Sequence, residues 1–167
     1  MPASTFRRRL LLAGTAALAL SGCGFRLRGP QLMAFETIHI VGLDPHSAIG
    51  SDLRRQIQAN GITRVLSSRD EAEVVLEVLR DQREREILSL SGGGSVREYE
   101  IERVLLFRVI RPDGSQVLGP TLLRARREYD FDDTQVIAKQ REEQLLYTDM
   151  EADLVQQLVR RLAAIQP

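Results

Sequence analysis

The alternation of side chains between residues 96 and 110 is the strongest constraint on what this chain can fold into. Apolar side chains fall on one side of the extended chain: Tyr99, Ile101, Leu105, Phe107 and Val109. Carboxylates fall on the other side: Glu98, Glu100 and Glu102. This period of two predicts a long β-strand with one face on a core, because successive side chains of a strand point to opposite sides. From residue 104 onward both sides are largely apolar, which predicts a central strand covered on both faces.

The segment before this strand predicts two short strands separated by a helix. Alternation predicts a first strand at residues 37–41 and a second near residues 62–66. Between them, Asp44-Pro45 is a typical helix start, with Asp44 as the N-cap and proline at the first helical position. Asn60-Gly61 supplies a left-handed residue that ends this helix.

Two further strands flank the alternating one. The first is predicted at residues 73–81, and its pattern extends through a charged stretch to Leu90. The second is predicted at residues 116–131 and is interrupted by Gly119-Pro120. A proline cannot donate to a strand ladder, so this dipeptide predicts a bulge or an edge position.

The C-terminal segment predicts one long helix that begins after a cap at residues 132–134. Its apolar stripe repeats every four residues: Leu146, Met150, Leu154, Leu158 and Leu162. Its solvent-facing side is predicted to hold Glu151, Asp153, Gln156, Arg160 and Arg161. The element order is therefore β-α-β-β-β-β-α. It predicts an α+β fold, with a mostly antiparallel sheet and two helices packed on one face.

The face of the sheet without helices still carries apolar residues. Val104, Leu106 and Ile110 lie on that side of the central strand. In a monomer they would form an exposed apolar patch, which indicates a partner.

The N-terminal segment has the features of a bacterial lipoprotein leader. Three arginines precede an apolar run at residues 10–20, which is shorter than the roughly 20 residues that a membrane-spanning helix needs. The sequence Leu20-Ser21-Gly22-Cys23 resembles a lipobox. Residues 1–22 are predicted to be a cleaved signal peptide, 23–35 the lipidated N-terminus and tether, and 36–167 the folded domain. Gly24, rather than aspartate, favours the outer membrane by resemblance to the bacterial sorting rule.

Composition excludes several functional classes. Lys+Arg and Asp+Glu are both 23, and loss of the leader makes the net charge −3, so general nucleic-acid binding is not predicted. One cysteine and two histidines leave little for a zinc site, and no nucleophile-base set accompanies His39 or His46. We therefore predict no enzyme, no metal site and no cofactor beyond a covalent lipid on Cys23.

Three blocks of this sequence resemble the lipopolysaccharide-assembly lipoprotein family, LptE. They are residues 20–29, the segment Arg97-Glu98-Tyr99-Glu100-Ile101, and a C-terminal block from Ala138-Lys139 to residue 162. The resemblance implies an α+β domain anchored to the outer membrane of a Gram-negative bacterium. It also implies a place inside the lumen of a large β-barrel, LptD. There the family helps the barrel to assemble, binds lipopolysaccharide and takes part in its insertion into the outer leaflet.

The resemblance implies a lipopolysaccharide site as well. Lys139 matches a basic position of the family, and the cations near it in sequence are Arg124, Arg126 and Arg127. Phosphate groups bind such side chains by charge-assisted hydrogen bonds. The hairpin tip at residues 91–95 departs from the family because it contains no cation.

Two alternatives remain open at this level. The arginine cluster is equally well explained as a solvated strand face paired with the glutamates of residues 98–102. The chain could also be another lipid-anchored accessory, such as a barrel-assembly factor or a periplasmic binding lipoprotein. A binding lipoprotein should enclose an apolar pocket of several hundred Å³, whereas a plug should have only open faces.

Overall fold

The structure is a computed structural model that describes residues 32–165. The predicted leader, Cys23 and the tether up to residue 31 lie outside the described residues. Within residues 32–165, no helix is long and apolar enough to span a membrane.

The predicted order of strands and helices is confirmed. The elements are β1 (Thr37–Val41), α1 (Ala48–Gln58), β2 (Arg64–Leu66), β3 (Val74–Leu90), β4 (Val96–Ile110), β5 (Gln116–Asp130), a 3-10 turn (Asp133–Gln135) and α2 (Val136–Ala163). The alternating strand has the predicted bounds, and β3 does run through the charged stretch to Leu90.

The sheet has the spatial order β2-β1-β3-β4-β5. The long strands β3, β4 and β5 are antiparallel neighbours, whereas β1 is parallel to both β2 and β3. The parallel pairs follow from the connections, because the α1 crossover and the loop after β2 each return the chain to the same end of the sheet. The fold is thus α+β with a mostly antiparallel sheet, as predicted.

The first helix begins later than predicted. Its N-cap is Ser47, whose hydroxyl accepts the Gly50 N–H at 3.0 Å. The Asp44 side chain instead accepts the backbone N–H of His46 at 2.8 Å. Asp44 therefore forms a turn ahead of the helix, because an aspartate can satisfy the backbone two residues on as readily as it caps a helix.

The predicted irregularity of β5 is confirmed at Gly119-Pro120. Thr121 lies opposite Phe107 and Leu118 lies opposite Val109, so β5 has one residue more than β4 over this interval. β5 is also an edge strand of the sheet. The bulge therefore lies where the missing proline N–H breaks no ladder.

The core lies between the helices and one face of the sheet, here called the helix face. The predicted α2 stripe is buried at Met150, Leu154, Leu158 and Leu162, and Leu146 is half-buried. One prediction on α2 was wrong: Glu151 is buried, at 5% exposure, and does not belong to the solvent-facing side. It is buried because α2 presents a wider face to the sheet than its leucine stripe, including Tyr147 and Val155.

The opposite, helix-free face is here called the open face. Its apolar residues are less exposed than predicted: Val104 and Ile110 are buried, and Leu106 is half-buried. Val104 lies between Gln82 of β3 and Arg124 of β5 in the strand register. The methylene groups of long polar side chains can cover neighbouring apolar residues. Val104 is therefore buried without a further helix or sheet packed on this face.

Candidate functional site

The three arginines predicted as one cluster lie on two faces of β5. Arg124 and Arg126 share the open face with Glu102 and Glu100 of β4, and Arg127 points to the helix face. The prediction of a single cluster was wrong, because neighbouring residues in a strand point to opposite sides.

On the open face, arginines of β5 pair loosely with glutamates of β4. The distance from Arg126 Nε to Glu100 Oε1 is 3.4 Å, and Arg126 Nη2 is 3.5 Å from Glu102 Oε1. Arg124 Nε is 3.7 Å from the same Glu102 oxygen. Both arginine side chains remain more than half exposed, at 55% and 54%. The pairing expected under the alternative interpretation is therefore present, but such exposed pairs typically contribute only about 0–1 kcal/mol.

On the helix face, Arg127 joins β5 to α2. Its Nη2 donates to Asp149 Oδ2 at 3.0 Å and to Asp153 Oδ2 at 2.8 Å. These two hydrogen bonds raise the pKa of the Arg127 guanidinium above its ordinary value. Arg127 is thus held by two carboxylates, whereas Arg124 and Arg126 are only loosely paired.

Lys139 lies in the first turns of α2. Its Nζ donates to Glu142 Oε2 at 2.9 Å, and its side chain is 19% exposed. Since α2 packs on the helix face, the structure does not bring Lys139 together with Arg124 and Arg126 in one site. Any anion that used all three cations would have to contact both sides of the sheet.

The structure contains a buried charge network that the sequence prediction missed. Glu151 Oε1 accepts hydrogen bonds from Arg83 Nη2 at 2.7 Å and from Arg103 Nε at 3.1 Å. Arg103, only 6% exposed, also forms an ion pair with Asp81. One sequence feature could have revealed this network: Arg103 occupies a position that the alternation of β4 assigns to the apolar, core-facing side. A charge at such a position has to be paired when it is buried.

An aromatic cluster joins the end of the sheet where β4 begins and β5 ends to the first half of α2. The rings of Tyr99 and Tyr129 stack at 5.7 Å, and Phe131 meets Tyr99 edge-on at 5.2 Å. The Tyr129 hydroxyl donates to Glu143 Oε2 at 2.5 Å, and that carboxylate also accepts from Arg85 at 3.1 Å. Burial, followed by the contact with Glu143, raises the pKa of Tyr129 well above its ordinary value.

Neither histidine of the described residues has its ring hydrogen-bonded to a serine, a cysteine or a carboxylate of that part of the chain. His39 Nδ1 contacts the Leu66 carbonyl oxygen at 3.0 Å within the sheet, and His46 is exposed. In residues 32–165, His, Cys, Asp and Glu form no group of three or more that could hold a metal ion.

An apolar cavity of about 240 Å³ lies at the end of the sheet near the C-terminus of α2. It is lined by Ala34, Phe35, Glu73, Val74, Arg111, Val117 and Ile165. Ligand pockets typically measure roughly 300–1,000 Å³ and enclose their ligand. The hollows of about 350 Å³ at the start of α2 and about 330 Å³ near its end are open to solvent, so none of these three supports the binding-lipoprotein alternative.

Comparisons with known proteins agree with the resemblance seen in the sequence. Two curated relatives are LPS-assembly lipoproteins LptE. The one from Photorhabdus laumondii is 27% identical over 157 residues, covering 93% of this chain and 85% of its own length. The one from Pectobacterium atrosepticum is 28% identical over 163 residues, covering 95% and 88%.

Solved structures of lipoproteins share the fold. The solution structure of the uncharacterized lipoprotein B from Nitrosomonas europaea is 34% identical, with a TM-score of 0.71, and covers 84% of this chain and 91% of its own. The crystal structure of the rare lipoprotein B from Shewanella oneidensis is 27% identical, with a TM-score of 0.65, and covers 77% and 94%.

The family model described as LptE: Lipopolysaccharide-assembly matches residues 35–162. This range contains the sheet, the buried charge network and almost all of α2. The chain therefore belongs to the LptE family of lipopolysaccharide-assembly lipoproteins, whose role requires neither enzymatic activity nor a cofactor, as the residues had predicted.

Proposed function

We propose that this protein is the outer-membrane lipoprotein that plugs an LptD-type β-barrel, helps it assemble and takes part in inserting lipopolysaccharide into the outer leaflet. The observation that supports this most directly is the open face of β3, β4 and β5. It is a broad, charged surface without a helix layer, as expected for a domain that meets the polar lumen of a barrel.

The anchor in this proposal is a lipid on Cys23, with residues 1–22 removed and the residues after Cys23 linking the lipid to the domain. The link ends before the predicted residue 35, because Met33 and Phe35 are buried in the core. Several acyl chains on one residue bind a membrane stably, because each buried CH₂ contributes about 0.8 kcal/mol. Mass spectrometry of the protein purified from membranes should find a lipid-modified Cys23 as the first residue. Cys23→Ala should accumulate as the full-length precursor. An unmodified Cys23 inside a longer chain would refute the anchor.

Lipopolysaccharide binding is proposed at two separate positions, Lys139 on α2 and Arg124 with Arg126 on the open face, with a smaller contribution from Arg127. The geometry supports this ranking, because Arg124 and Arg126 are half-exposed and loosely paired, whereas Arg127 donates to two carboxylates. Lys139 has one carboxylate partner, which a phosphate can displace.

The binding proposal is tested with purified lipopolysaccharide and charge-reversal variants of the purified protein. Lys139→Glu and Arg126→Glu should each weaken binding by about 1–3 kcal/mol, and the loss should shrink as salt rises. Arg160→Glu makes the same charge change on the exposed side of α2 near its C-terminus and serves as the matched control. Melting temperatures of all variants separate lost binding from lost folding. Wild-type affinity of Lys139→Glu at low salt would exclude the position on α2, and wild-type affinity of Arg126→Glu would exclude the position on the open face.

The barrel proposal is tested by purifying the protein from detergent-solubilised outer membranes. Recovery of a large β-barrel in equal amounts is the expected result. Recovery of this protein alone would instead favour another lipid-anchored accessory, and it would leave the family assignment and the binding test unaffected.

A further inference from the structure

The sheet has one long edge that no strand of the described residues covers. β5 is paired with β4 on one side only, and the opposite edge of the sheet is the short strand β2. A free edge exposes backbone N–H and C=O groups that can pair with another extended chain. In β5 this edge is uninterrupted from Thr121 to Asp130, because the bulge at Gly119-Pro120 lies before that segment.

The open-face charges along this edge follow a simple pattern. In chain order they are Arg124, Arg126, Glu128 and Asp130, which gives two positive charges followed by two negative charges. An antiparallel neighbouring strand runs in the opposite direction, so its charges occur in reverse order along the shared edge. A second copy of the same strand therefore presents the complementary order, and both open-face arginines can face a carboxylate.

Within one copy, the two negative residues of this pattern, Glu128 and Asp130, lie opposite further carboxylates of β4. Glu128 lies opposite Glu100, which lies opposite Glu86, so three carboxylates form one row across the open face. Asp130 lies opposite Glu98 in the next row. Like charges that face each other across strands are unfavourable. In the first of these rows Arg126 approaches only Glu100, at 3.4 Å, which leaves Glu128 at the edge beside a carboxylate.

We infer that β5 is a self-association edge, on which two copies of this chain pair antiparallel with Arg124 opposite Asp130 and Arg126 opposite Glu128 of the second copy. Arg127 then lies on the two-fold axis, and each residue pair occurs twice, as in any isologous interface. Each acidic row of one copy would continue into an arginine row of the other. The inference concerns the free chain and does not rest on the proposed barrel or lipopolysaccharide roles.

The test is sedimentation velocity of the purified full-length mature protein in detergent at low salt. We expect a monomer-dimer equilibrium at concentrations of about 0.1 mM, weakened by salt because the paired charges are exposed. Arg124→Glu combined with Arg126→Glu should weaken dimerisation at least about tenfold, because each introduced glutamate meets a carboxylate. A wild-type protein that stays monomeric throughout would overturn the inference.

A complete charge swap keeps the test decisive even if the double variant is less stable. Adding Glu128→Arg and Asp130→Arg to the double variant inverts the pattern to two negative charges followed by two positive ones. This fourfold variant should dimerise with itself but not with the wild type. Failure to regain self-association, in a variant whose melting temperature shows that it is folded, would contradict the proposed register.

Disulfide trapping tests the register independently. In the mature protein, whose Cys23 thiol carries the lipid in the proposed anchor, the variants Arg126→Cys and Glu128→Cys should form disulfide-linked dimers when mixed. Each alone should form few, because positions 126 and 128 face each other and not themselves. Facing residues of antiparallel strands lie within the roughly 4.4–6.8 Å between Cα atoms that a disulfide allows. Efficient dimers from one variant alone would show a different register and refute the proposal.

Discussion

The two faces of the sheet use the same arginine–glutamate chemistry in opposite ways. On the helix face, Arg103 and Glu151 are both almost fully buried and hydrogen-bonded at 3.1 Å. On the open face, Arg126 is half-exposed and lies 3.4–3.5 Å from Glu100 and Glu102. The buried pair is part of the attachment of α2 to the sheet, whereas the exposed pairs leave their arginines available to other molecules.

The difference in burial decides what each pair contributes. Removing one partner of a buried ion pair leaves an uncompensated buried charge and typically costs about 3–5 kcal/mol of stability. Replacing both partners by apolar residues of similar volume is often neutral for stability. An exposed pair contributes about 0–1 kcal/mol and is screened by salt. Mutations on the helix face should therefore change stability, and equivalent mutations on the open face should mainly change interactions.

The largest expected effect is that of Leu154→Asp in α2. Leu154 is fully buried against the sheet, so the change loses its apolar contacts and buries an unpaired carboxylate. We expect a loss of about 4–5 kcal/mol, a large fraction of the roughly 5–15 kcal/mol of a typical domain.

The matched control is Leu122→Asp on the open face, where Leu122 is 43% exposed. It should cost about 1 kcal/mol or less. Urea unfolding of both variants measures the two values. Equal losses would mean that the open face is as well covered as the helix face.

The next largest effect is expected for Glu151→Ala, which leaves Arg83 and Arg103 without their shared carboxylate. The free energy of unfolding should fall by about 3 kcal/mol, less than for Leu154→Asp because Asp81 still pairs with Arg103. Glu100→Ala removes a partner of Arg126 on the open face and should cost about 1 kcal/mol or less. A Glu151→Ala protein as stable as Glu100→Ala would show that the buried network does not hold α2 in place.

A smaller, pH-dependent effect is expected for Tyr129. Its pKa is raised in the folded state, mainly by burial, so folding favours the protonated phenol. This stabilisation is fully present below the unfolded-state pKa of about 10 and is lost as the pH rises above it. Tyr129→Phe should therefore flatten the decline of melting temperature between about pH 9.5 and 11. An unchanged alkaline decline would indicate that Tyr129 titrates as it does in the unfolded chain.

The smallest effect is expected at the turn before α2. The Asp132 carboxylate accepts the N–H and the hydroxyl of Thr134, and these hydrogen bonds lower the pKa of Asp132. Its contribution is present above the unfolded pKa of about 4 and is lost on acidification. Asp132→Ala should lower the melting temperature slightly at pH 7 and not at pH 2.5. Asp132→Asn, which keeps an acceptor oxygen, should lower the melting temperature at pH 7 less than alanine does.

Local patterns allowed most of the fold to be predicted. The period of two gave the bounds of β4, and proline chemistry located the β5 bulge. The start of α1 was missed because Asp44 and Ser47 are both good capping residues. Sequence alone cannot say which of two nearby candidates the backbone uses when each satisfies an N–H group.

The candidate site was less predictable, because it depends on which strand face each residue occupies and on what covers that face. Alternation by itself determined that Arg124 and Arg126 share one side and Arg127 takes the other, although proximity in sequence had grouped all three. Only the packing of α2 decided that Glu151 and Arg103 are buried partners, since they are 48 residues apart in the chain. Periodicity fixes the direction of a side chain, but tertiary packing decides whether that direction leads to water or to an opposite charge.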